Sequence, residues 1–151
     1  MRFVIAAGFA LFNAVPPSAQ AAADLSVATP IAGNWSYAAA RDGSEATFAA
    51  PTGAVQLSLH CTRATRRVTI AKAATGPATS MDIWTSGSAR SVPVSYNPAT
   101  ARVTADLGAY DDLLDDMSNS RGRIGLTVGT QPPLVVPAWP EIARVVEDCR
   151  A

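Results

Sequence analysis

The chain is short of the residues that do chemistry. It has one histidine, His60, two cysteines, Cys61 and Cys149, and one lysine, Lys72, in 151 residues. A lone histidine without a G-x-S-x-G elbow gives no nucleophile, base and orienting group that converge in the sequence. The cysteines are too far apart for a CxxC redox motif or for the paired spacing of a zinc site. The D-x-[DN]-x-[DN]-G calcium loop is absent as well. An excess of charge of one sign is also missing. Twelve basic and 12 acidic side chains balance, so no global field draws the chain to nucleic acid or to an anionic membrane. The basic set is almost all arginine, which we read as a coding bias. Nothing in the sequence implies a cofactor or a metal.

What is present begins with the N-terminus, MRFVIAAGFALFNAVPPSAQAAADLS. Arg2 is a short basic start, Phe3 to Val15 is apolar, Pro16 and Pro17 break the run, and Ala19 and Ala21 are small. That order describes a secretory signal peptide with an A-x-A site. The run is too short for a membrane span, which needs ~20 apolar residues. Residues 1–21 are therefore expected to be removed, with Ala23 as the second cleavage site. Residues 22–151 remain as one domain, periplasmic or secreted, with no later segment that inserts in a membrane. At 48% hydrophobic and 16% charged, that remainder has the composition of a globular domain and not of a disordered chain.

Export changes how the cysteines read. Two thiols in an oxidising compartment predict one disulfide, Cys61 to Cys149. In LSLHC, strand alternation puts Leu57, Leu59 and Cys61 on one face and Ser58 and His60 on the other. In WPEIARVVEDCR, Ile142, Val145, Val146 and Cys149 form one helical stripe behind Pro140. Both sulfurs are thus aimed at a core.

Most other segments are short, rich in valine, isoleucine and threonine, and alternating. Val68 with Ile70, Met81 with Ile83, Val103 with Leu107, and Ile124, Leu126 and Val128 each share a face. Turn signals such as Arg41-Asp42-Gly43 and Asn97-Pro98-Ala99-Thr100 separate them. Frequent turns without helical crossovers predict an antiparallel β-sandwich or a partly open barrel. Two helices are expected, near 110–118 and 140–149; in the first, Tyr110, Leu113, Leu114 and Met117 form the apolar stripe. In the YNPATARV turn the last loop residue, Ala101, is expected to have φ > 0.

Four groups of residues are candidates for function. His60 faces solvent from a strand. Arg63, Arg66 and Arg67 form a basic cluster that could hold an anion or an acidic partner, or be a solvated turn. Trp84 alternates away from Met81 and Ile83 and so offers an outward aromatic. Asp111, Asp112, Asp115 and Asp116 form an acidic cluster; the first two suit a helix N-terminus, and Arg121 and Arg123 are the expected compensation for the last two. A helix is a poor frame for wrapping one ion, so no metal is assigned there.

The plan of a leader, Gly33-Asn34-Trp35, a β-rich body, a short helix, RIGLTV, PPLVVP and a closing helix resembles small exported proteobacterial proteins of unknown function, among them the invasion-associated locus B family. That family tends to carry a cysteine soon after its tryptophan, whereas Ser36 and Tyr37 follow Trp35 here. The resemblance implies a periplasmic or surface-associated β-sandwich and carries no residue roles. The leading expectation is a non-catalytic module that binds a protein or an envelope component. The alternative is a small periplasmic hydrolase or enzyme inhibitor with a cleft at His60 and the three arginines.

Overall fold

The computed structural model describes residues 24–151; the expected signal peptide lies outside the described residues. Ten strands and two helices follow one another: β1 (Asn34–Ala40), β2 (Gly43–Ala49), β3 (Val55–Thr62), β4 (Arg67–Ala73), β5 (Ser80–Trp84), β6 (Ala89–Pro93), β7 (Ser95–Asn97), β8 (Arg102–Gly108), α1 (Asp112–Ser118), β9 (Arg123–Val128), β10 (Leu134–Pro137) and α2 (Pro140–Arg150). A six-stranded sheet runs β1-β2-β3-β4-β8-β7, and a four-stranded sheet runs β10-β9-β5-β6. All pairings are antiparallel. Both sheets keep free edges, so the fold is an open sandwich and not a closed barrel.

The alternation read from the sequence decides which face is buried. Ala46 and Phe48, Leu57, Leu59 and Cys61, Val68 and Ile70, and Val103, Ala105 and Leu107 line the inner face of the larger sheet. Met81, Ile83, Val92, Ile124, Leu126, Val128, Leu134 and Val136 line the smaller one and belong to the same core. Each large side chain removed from water there stabilises by roughly 1.5–3 kcal/mol. Trp35 joins the two layers at one side. Its ring packs edge-on to Phe48 with centroids 5.5 Å apart, and its Nε1 donates to the Pro137 carbonyl at 2.8 Å.

Both helices take the expected stripes, with one difference. Ile142, Val145, Val146 and Cys149 of α2 are buried, and the helix lies against β1, β2, β3 and β4. Leu113, Leu114 and Met117 of α1 are buried, but Tyr110 precedes the helix and is 61% exposed. The reason is the cap: Asp111 accepts the Leu113 amide at 2.9 Å, which starts the helix after Tyr110. The Tyr110 hydroxyl instead donates to the Arg150 carbonyl at 3.3 Å.

Cys61 and Cys149 are bonded, with Cα atoms 5.5 Å apart, inside the span a disulfide needs. Beside the bridge Tyr37 donates to the Asp148 carboxylate, and the Arg144 guanidinium lies 4.1 Å over the Tyr37 ring. Two hairpins share one turn design. The loops Arg63–Arg66 and Pro98–Ala101 each end on a residue with positive φ, 50° at Arg66 and 49° at Ala101. Ala101 therefore has the conformation its turn predicts.

Two outcomes follow from these features. A crosslink between residues 88 positions apart restricts the unfolded chain by about 4 to 5 kcal/mol, so Cys149→Ser should lower the melting temperature sharply and expose α2 to proteolysis. Thermal denaturation and limited digestion check this. Ala101→Gly should be neutral or stabilising by up to ~1 kcal/mol, since glycine adopts positive φ without penalty. A drop in melting temperature would contradict the turn as described.

Candidate functional site

The residues singled out from sequence do not converge. His60 projects from the outer face of β3, and its Nε2 lies 3.1 Å from Asp42 in the β1–β2 turn, a bond that holds the Asp42 carboxyl below its usual range. Its neighbour Cys61 points inward and is consumed in the disulfide. The arginines turn to separate partners: Arg63 donates to the Asp148 carbonyl at 3.4 Å, Arg66 to the Tyr110 hydroxyl at 3.3 Å, and Arg67 to Asp106 on β8. Trp84 is half-buried. Its cross-strand neighbour is Gly125, where a Cβ would overlap the Leu25 side chain that rests on it.

The acidic cluster is also divided. Asp111 caps α1 and pairs with Arg90 at 2.6 Å; Asp115 pairs with Arg150 at 2.8 Å; Asp116 accepts from the Ser88 hydroxyl at 2.5 Å. Arg121 and Arg123 were the expected compensation, but Arg123 donates to the Ala28 carbonyl, and the cation that reaches α1 from α2 is Arg150. Sequence distance favoured the nearer arginines; packing of the two helices favours the farther one. Among the described residues no group of three or more histidine, cysteine, aspartate or glutamate side chains is placed to hold a metal ion.

The more telling place is at the other end of β3 from the disulfide. A cleft of about 450 Å³ opens there between the two sheets, lined by Ile31, Gln56, Lys72, Thr75, Gln131 and Leu134 among others. Small-ligand sites commonly occupy roughly 300–1,000 Å³. Its walls are mainly apolar, with Ala74, Pro132 and Pro133 completing them. Lys72 sits in the inward row of the larger sheet, between Leu57 on β3 and Val103 on β8. It is only 5% exposed.

Lys72 is inside for a local reason. Val68, Ile70 and Lys72 alternate along β4, so a strand that buries the first two buries the third. That signal was legible in RVTIAKA, but the lysine stood out from the sequence only by its rarity. Its Nζ donates to the Ala73 carbonyl at 3.0 Å, which uses one of three ammonium donors. Desolvation alone pushes its pKa down, and among the described lining residues there is no carboxylate. Gln131 is fixed with its Oε1 accepting the Thr75 amide at 3.2 Å, so its NH₂ end remains available. Gln56 is turned the other way, donating through Nε2 to the Ala54 carbonyl at 3.4 Å. Away from the lining, Arg102 donates to the carbonyls of Ala71 and Val55, at 3.1 and 2.8 Å, and ties β8 to β4 and β3.

A buried ammonium without a counter-charge subtracts from stability. Because burial depresses its pKa below the ordinary 10.5, the folded state takes up the proton less readily than the unfolded state. The lost stability is therefore largest below the folded pKa and is recovered as pH rises to 10.5. Lys72→Met should raise the melting temperature at pH 7, with a gain that shrinks towards pH 10.5; melting curves across that range check it. A gain that does not vary with pH would contradict the uncompensated charge.

In comparisons with known proteins, no family model matches the chain, and no curated protein or solved structure matches it significantly.

Proposed function

We propose that the chain is an exported, non-catalytic binding module that works in the periplasm or outside the cell and seats a small envelope component in the cleft around Lys72. The observation that carries this reading is the lysine itself: a cation kept inside an apolar cleft, at a cost to the fold, with polar capacity left over. Sites that bind small molecules combine mostly apolar walls with a few polar groups that fix orientation, and Lys72 with Gln131 fits that description. A disulfide is what an oxidising compartment outside the cytoplasm permits, which supports the location. No helix among the described residues is long and apolar enough to cross a membrane. The resemblance to the invasion-associated locus B family, carried over as a proposal, concerns location alone.

The cleft favours a small component over a broad protein surface. A hydrolase or inhibitor built on His60 has less support, because His60 is held by Asp42 on the outer face while Arg63, Arg66 and Arg67 turn to three different partners.

The test uses a neutral apolar dye, Nile red, with the disulfide-bonded protein. Dye emission should rise on binding to the native protein. Thr75→Trp fills the rim of the cleft and keeps the backbone N–H that Gln131 accepts, so it should weaken the dye by about tenfold or more, ~1.4 kcal/mol. Equal binding by both proteins would place the seat elsewhere.

A further inference from the structure

We infer that the ligand of this cleft is an apolar monocarboxylate, with its carboxylate on Lys72 and the Gln131 amide and its body against Ile31, Ala74, Pro133 and Leu134. This rests on the cleft being the seat proposed above.

Three observations select the class. The first is the sign of the charge. Among the described residues Lys72 is the only charged one lining the cleft, so a ligand that neutralises it carries a negative group. The second is its magnitude. One ammonium balances one negative charge; a phosphate monoester would bring close to two into a largely apolar space, and among the described residues no arginine lines the cleft to take the remainder. The third is the donor pattern. Lys72 keeps two ammonium N–H groups and Gln131 keeps its NH₂ after their bonds to the fold, both residues line the cleft, and a carboxylate, which only accepts, suits such donors with its two oxygens.

The apolar body follows from the rest of the lining. Ile31 precedes β1, Ala74 follows β4, and Pro132 and Pro133 lead into β10, which Leu134 opens, so aliphatic surface approaches from both sheets. An ion pair formed there is screened far less than one at the surface, because water is displaced from around it. The carboxylate would also relieve the isolated charge that burial leaves on Lys72. Binding and stability are thereby linked, and a ligand for the native state should raise its melting temperature.

The experiment is a calorimetric titration of the disulfide-bonded protein with octanoate, 1-octanol and inorganic phosphate. Octanoate should bind at least about tenfold more tightly than octanol, ~1.4 kcal/mol, and phosphate should not compete with it. Lys72→Met, checked for fold by its melting transition, should bring octanoate down to the affinity of octanol, and Thr75→Trp should abolish both. If octanoate and octanol bind alike in the native protein, the carboxylate assignment is overturned while the cleft stands. If phosphate displaces octanoate, the monoanion argument is overturned. Binding of octanoate that survives Thr75→Trp removes the seat itself, and an absence of octanoate binding while Nile red still binds overturns the ligand class alone.

Discussion

A six-stranded sheet facing a four-stranded one has more inner surface than its partner can cover. The helix cover and the cleft both answer that mismatch. At one end α2 lies across β1, β2 and β3 and buries Ile142, Val145 and Val146 where the smaller sheet does not reach. The disulfide and the Tyr37–Asp148 bond fasten that cover in place. At the other end neither α1 nor α2 lines the cleft, and Lys72, in the inner row of β4, forms part of its wall. Fold and site are thus two consequences of one inequality in width.

How much of this was legible in the sequence follows the range of the interaction concerned. Alternation along a strand and the stripe along a helix are local, and they placed Cys61 and Cys149 on buried faces, gave both helices and marked Ala101 as the strained turn residue. Partners set by packing between distant elements were not legible. Asp115 meets Arg150 only because α1 and α2 lie side by side, and Arg66 meets Tyr110 only because the helix cap leaves that ring outside. Leu25 can lie on Gly125 because β9 carries no side chain at that point, a fit that neither segment announces. Lys72 is the intermediate case: its inward direction is present in the pattern, yet a lysine on a buried face runs against the usual exposure of that residue type.

Departures of that kind tend to gather at sites where a chain gives up stability for a task. The core of this protein is otherwise consistent, with aliphatic side chains at nearly every inward position of both sheets. Ser44 and Lys72 are the polar members of the inward rows of β2 and β4. Ser44 stands across from Cys61, under α2 and beside the Tyr37–Asp148 pair, where the fold is sealed. Lys72 stands at the unsealed end. The two polar interruptions therefore lie in different surroundings, one beneath the docked helix and the other beside the open cleft.

The burial of both sulfurs has a consequence in time. Cys61 and Cys149 are each 0% exposed, so an oxidant or a reductant can reach them only while α2 is away from the sheet. Oxidation must therefore precede or accompany the last docking step. Because the chain has no third cysteine, the bridge cannot rearrange within the molecule, and its only competing reaction is with a thiol on another molecule. Once the helix has settled, the lifetime of the crosslink in a reducing medium is governed by how often and for how long the helix lifts.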